Sequence, residues 1–165
     1  MTTNFEDVGR FHARFGLPEV VESEDRCGPR DVGEELFQFR RGFMQEELDE
    51  FTDGWLQGDH AQMFDALLDI VYVAMGTAHM FGYPWQAGWK LVQDANMAKV
   101  RASSADSSKR QSAWDVIKPE GWQPPDIAGL LEWHGFFIPE PPDPDLPKPQ
   151  TIDLPMPGQL RLEIE

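Results

Sequence analysis

The chain has 165 residues, with 14 Lys+Arg against 29 Asp+Glu and a formal net charge of −15, a length that suits one domain with a modest appendage. So acidic a surface repels a phosphate backbone and anionic lipid, which argues against nucleic-acid and membrane-surface partners. The single cysteine, Cys27, leaves no intrachain disulfide and no Cys-rich zinc site; the opening MTTNFEDVGR lacks the apolar stretch of a signal peptide, so the expected setting is cytoplasmic.

Asn4 is placed to cap a short first helix over 5–15, stopped by Gly16 and Pro18. Residues 18–32 read as a loop. Asp31 can cap a long second helix over 32–56, with Glu34 and Glu35 near its positive end. Gly58 and Asp59 break the chain before a third helix, 59–81, stopped by Gly82. Its mostly apolar run, 66–81, is interrupted by Asp69 and falls short of a membrane span. Pro84 opens a fourth helix to about residue 102. SSADSSK (103–109) reads as a flexible loop, and no β-hairpin is expected in the body. Three prolines precede residue 118 and eleven follow it. That shift separates a helical body, roughly 1–117, from a Pro-rich part, and the expected domains are a helical catalytic domain, 1–130, and a Pro-rich extended tail, 131–165. Within the tail, the prolines of 139–158 forbid a helix, while Leu160, Leu162 and Ile164 alternate like a short strand. The expected class is all-α, a four-to-five-helix bundle with an extended C-terminal tail.

Met44, Leu48, Phe51 and Trp55 form an apolar stripe on the second helix, with Glu47 and Glu50 along one edge. Glu46, Asp49 and Asp53 point further out, as a solvated acidic face would. The third helix is apolar nearly all round, which predicts a central position, yet Asp65 and Asp69 sit one turn apart inside it. A buried carboxylate needs a partner: Arg40, Arg41, a helix cap or a metal ion. If the two helices are antiparallel neighbours, Glu47, Glu50, Asp65 and Asp69 can converge. Four carboxylates without His or Cys make a hard-oxygen site suited to Mg²⁺ or Mn²⁺. On the fourth helix Trp85, Trp89, Val92, Asn96 and Lys99 share a face. An amide and an ammonium there invite a phosphate-bearing ligand; the alternative is a lysine serving the helix C-terminus. His12, His60, His79 and His134 fit no metal register and read as structural or surface residues.

EELDE (46–50), DALLDIVYVAMGTA (65–78) and NMAK (96–99), in that order, resemble the MazG-like all-α nucleoside triphosphate pyrophosphohydrolase superfamily. FHARFGLP (11–18) and KPEGWQPPDI (118–127) add to the likeness, which points to a phage branch close to phosphoribosyl-ATP pyrophosphohydrolase. The resemblance implies an all-α pyrophosphatase fold and two or three Mg²⁺ or Mn²⁺ ions. Glu47, Glu50 and Asp69 match metal ligands. The partner of Asp69 in the superfamily's E-x-x-D falls on Ala66, a departure for which Asp65 can substitute. Glu46 matches a further ligand or the residue that orients the attacking water. Asn96 and Lys99 match contacts to sugar and phosphates. Trp85, Trp89 or Phe15 could stack on the base, against the plainer reading of core aromatics. The implied reaction is hydrolysis of a (deoxy)nucleoside triphosphate to monophosphate and pyrophosphate. A purine deoxynucleotide such as dGTP is the first candidate, and a house-cleaning role on non-standard nucleotides is a neighbouring one. The implied state is a homodimer or homotetramer, in the host cytoplasm if phage-encoded. From another class, the chain could be an inert helical assembly module, which Ala66 would favour.

Overall fold

A computed structural model of the chain describes residues 2–17, 27–112 and 114–140. It is all-α. In chain order come α1 (Asn4–Arg14), α2 (Gly33–Gln57), α3 (His60–Phe81), α4 (Trp85–Met97), two short strands β1 (Val100–Arg101) and β2 (Val116–Ile117), and α5 (Ile127–Trp133). The Pro-rich segment and the Leu160–Leu162–Ile164 alternation lie, from residue 141 on, outside the described residues. The chain forms two compact units. One runs to Tyr83 and takes in Pro139 and Glu140; the other is Pro84–Ile138.

In the first unit, α1 begins with a capping box. Thr3, not Asn4, accepts from the Glu6 backbone N–H, while the Glu6 carboxylate accepts from the Thr3 backbone N–H. Thr3 takes the cap because the glutamate three residues on belongs to it. Asp31 does not cap α2, whose N-cap is Val32 with no side-chain hydrogen bond. Asp59 caps α3 as a single carboxylate oxygen shared between the Ala61 and Gln62 N–H groups. Gly58 and Gly82 end α2 and α3 in the left-handed conformation that glycine adopts without strain.

The two-residue link makes α2 and α3 an antiparallel pair, and α1 packs on α3 as well. Small residues set the closeness of α2 and α3. A Cβ on Gly54 would stand 2.9 Å from Met63 Cγ. One on Gly76 would stand 2.6 Å from His12 Nε2 and 2.8 Å from Arg40 Nη2. Ala66, fully buried, lies in the same unit's core with Val73, Met75, Ala78 and Met80. Phe5 stacks on His79 at 3.7 Å, and His79 Nε2–H donates to the Phe5 carbonyl at 2.7 Å.

Helix α3 is central only along its C-terminal half. Phe64, Leu67, Leu68 and Val71 are exposed, and so are Asp65 and Asp69. The expected burial of the two aspartates is therefore corrected: both are exposed. By length and composition alone α3 could cross a membrane, with a mean hydropathy of 1.3 over its most apolar window.

The second unit also departs from expectation. Helix α4 stops at Met97 rather than near residue 102, because Val100 and Arg101 pair antiparallel with Ile117 and Val116. The 103–109 segment holds a 3₁₀ turn, and buried Ser108 donates to Asp115 at 2.6 Å. Asp126 caps α5 through the Gly129 N–H.

Candidate functional site

Heptad spacing on α2 puts Arg40, Glu47 and Gly54 in one line, seven residues apart, on the face that meets α3. Arg40 and Gly54 are buried and Glu47 is half-buried. Leu48 and Trp55, expected on the inward stripe, are exposed. Glu47 is thus on the packed face and not at its edge, since α3 sits closest where Gly54 carries no side chain.

One carboxylate oxygen of Glu47, Oε2, is buried without a hydrogen-bond partner among the described residues. Its pKa is pushed up first by that burial, then by the charges of Asp69, Glu50, Glu46 and Asp65, in that order. These are the same five carboxylates singled out from the sequence, and each of the other four is near enough to act on Glu47. Such a cluster of like charge around a half-buried carboxylate is the electrostatic setting of a divalent-cation site. Its oxygen-only donor set fits Mg²⁺ or Mn²⁺. As they stand, no three His, Cys, Asp or Glu among the described residues are gathered closely enough to close a metal site.

Asp69 also lines a pocket of about 530 Å³ in the same unit, a size within the usual range for small-molecule sites. Aromatic rings dominate its walls. Phe11 and Phe15 from the α1 end lie 4.7 Å apart, Phe39 and Phe43 of α2 lie 4.6 Å apart, and Tyr72 of α3 meets Phe11 edge-on at 5.5 Å. Arg40 and His12 are its other polar lining residues. The sequence reading picked Phe15 but passed over Arg40, His12 and the remaining rings. The i,i+4 pairs Phe11–Phe15 and Phe39–Phe43 were the available signal, though such pairs also mark ordinary cores.

In the second unit, Lys99 lies past the end of α4 and reaches back, donating to Asn96 Oδ1 at 2.8 Å. The Lys99 ammonium lies 5.7 Å and that of Lys118 4.3 Å from the centre of the Trp122 ring. Trp122 Nε1–H donates to the Ala95 carbonyl at 2.8 Å. Trp85 and Trp89 stack on each other, 6.2 Å between centres, and neither lines the pocket beside Asp69.

These features, five carboxylates on an antiparallel helix pair beside an aromatic pocket, accord with what the comparisons find. At the level of the superfamily, the chain resembles the MazG-like all-α nucleoside triphosphate pyrophosphohydrolases. Residues 16–96 match the family described as phosphoribosyl-ATP pyrophosphohydrolase. The match holds all five carboxylates and Asn96, while His12, Phe15 and Lys99 lie outside it. The chain is also similar to an uncharacterized protein of Acanthamoeba polyphaga mimivirus, 29% identical over 80 residues, or 48% of this chain. It spans about a third of that relative's length, 31%.

Proposed function

We propose that this chain hydrolyses a (deoxy)nucleoside triphosphate to the monophosphate and pyrophosphate, with Mg²⁺ or Mn²⁺ held by Glu47, Glu50 and Asp69 and with Asp65 and Glu46 in reach. The family supports pyrophosphohydrolase chemistry on a nucleotide in general. The observation that carries the finer reading is the double position of Asp69. It is the foremost charge acting on Glu47, and it lines the aromatic pocket. A triphosphate on the carboxylate side would place its base among the rings.

A bound divalent ion supplies charge neutralisation on the phosphates and a more acidic water. In this reading Glu46, exposed on α2, accepts the proton of the attacking water. Asp65, one turn before Asp69, takes the place of the carboxylate lost at Ala66. That position is fully buried here and tolerates no charge. Phe15 stacks on the base. A purine deoxynucleotide, dGTP first, is the proposed substrate, residues 1–130 the catalytic part and the cytoplasm the proposed setting. The test is product analysis across all NTPs and dNTPs with either metal. Monophosphate plus pyrophosphate is expected. Orthophosphate alone would overturn α–β cleavage. No turnover, in protein that still binds metal, would favour an inert assembly module, the reading that Ala66 supports.

We also propose a homodimer or homotetramer. Phe64, Leu67, Leu68 and Val71 recur at helical spacing along one exposed side of α3, an apolar stripe that a second copy would cover. Light scattering at micromolar concentration is expected to give at least twice the 18.8 kDa chain mass; a monomer would sink the proposal.

A further inference from the structure

The first unit buries a cation that no carboxylate among the described residues neutralises. Arg40 is 6% exposed. Its Nη2 donates to the Val73 carbonyl at 2.7 Å and its Nε to the Thr77 hydroxyl at 3.1 Å, both neutral acceptors. Among the described residues no carboxylate pairs with it, and its remaining nitrogen, Nη1, makes no hydrogen bond. Burial alone holds its pKa below the usual arginine value. Buried charges are ordinarily paired, so an uncompensated guanidinium lining a pocket calls for a ligand acceptor.

Beside it stands His12, 2% exposed, with Nδ1 buried and without a hydrogen-bond partner among the described residues. The ring is neutral at pH 7, held so first by burial and then by the nearby Arg40 and His79. A neutral imidazole offers one donor and one acceptor. Both side chains line the pocket whose walls are flat aromatic rings.

We propose that Arg40 and His12 are specificity-determining residues that select a nucleobase with a lactam edge, a carbonyl oxygen next to a ring N–H, over one with an exocyclic amine there. This rests on the reading of the pocket as the base site. The chemistry follows from the donor inventory. A guanidinium only donates, so it pairs with the carbonyl, and a histidine nitrogen lacking its proton accepts from the adjacent ring N–H. Guanine, hypoxanthine, uracil and thymine present that order of groups. Adenine and cytosine present the reverse, an amine donor facing a donor, which would leave the buried cation unpaired again. Sites built on buried hydrogen-bonding groups discriminate strongly for this reason.

Deoxyinosine and deoxyadenosine triphosphates isolate the effect, since they exchange the carbonyl and amine at one purine edge. With the full chain and Mg²⁺, kcat/KM is expected to be about tenfold or more higher for dITP than for dATP. Arg40→Met is expected to bring the ratio to within about twofold, with circular dichroism checking its fold. Should that variant unfold, His12→Phe is expected to lower the ratio several-fold. Equal wild-type turnover of the two nucleotides would overturn the selection and leave the hydrolase reading standing. A ratio unchanged in a folded Arg40→Met protein would overturn the assignment to Arg40. If neither these two nor any other NTP or dNTP is hydrolysed, the hydrolase reading falls. Calorimetric titration with dIMP and dAMP then decides the selection: tighter dIMP binding supports it, equal affinity overturns it.

Discussion

Glu47→Gln is expected to reduce pyrophosphate release by about 10²–10³-fold, the scale of several kcal/mol of lost transition-state charge stabilisation. The same change is expected to raise the melting temperature of the metal-free protein. Glu47 is half-buried, and its pKa is raised by burial and by Asp69, Glu50, Glu46 and Asp65. A carboxyl whose folded pKa lies above its unfolded value favours the fold while protonated. It withdraws that support as pH rises through the folded pKa. At neutral pH its charge therefore opposes folding, and an uncharged isostere relieves the opposition. Divalent ions should invert the picture, stabilising the wild type in a thermal-shift series and leaving the Glu47→Gln variant without response. Asp49→Asn tests position against mere charge. Asp49 is exposed, accepts from Gln45 at 2.9 Å and is not among the charges acting on Glu47. Its loss is expected to change neither rate nor metal response. A Glu47→Gln protein with wild-type turnover and wild-type metal stabilisation would overturn the site.

Folding stability is expected to drop by roughly 3 kcal/mol between pH 7 and pH 4 through His12 alone. Burial, then Arg40, then His79 lower its pKa from 6.5 to about 4 in the fold. The unfolded chain binds this proton near pH 6.5, whereas the folded chain resists until about pH 4. Between those values the unfolded state holds more protons, so stability falls as pH falls and levels off below the folded pKa. Glu47 acts in the opposite sense, so the contribution is read as a difference. Urea midpoints of the wild type and of His12→Gln, measured from pH 4 to 8, should diverge across that window. Parallel curves would show that His12 carries no such linkage. The loss is a large part of a typical domain's 5–15 kcal/mol.

The helical class was legible because its signals are local. Asp59 and Gly82 bound α3 as the sequence reading has it, and Gly58 ends α2. The first cap went to Thr3 instead of Asn4, a one-residue error that the glutamate at position 6 resolves. The end of α4 was not legible. Helical propensity continues past Met97, but Val100 and Arg101 are taken by a pairing with residues 116 and 117, a non-local contact that no window around residue 100 contains.

By itself, then, the sequence determined which carboxylates lie on which helices, since side-chain spacing along a helix is fixed by its 3.6-residue turn. It also determined that no soft ligands stand among them. Only the tertiary structure decided which way each helix faces. An apolar moment points toward the greasiest side, Leu48 and Trp55 on α2, whereas close packing is governed by where a neighbour can approach, at Gly54 and Gly76. That rotation brings Glu47 onto the α3 face and leaves Asp65 and Asp69 exposed. It also buries Arg40 and His12 together beside rings from three helices. The pocket is a product of residues some sixty positions apart in the chain, and chain periodicity carries no information about distances of that kind.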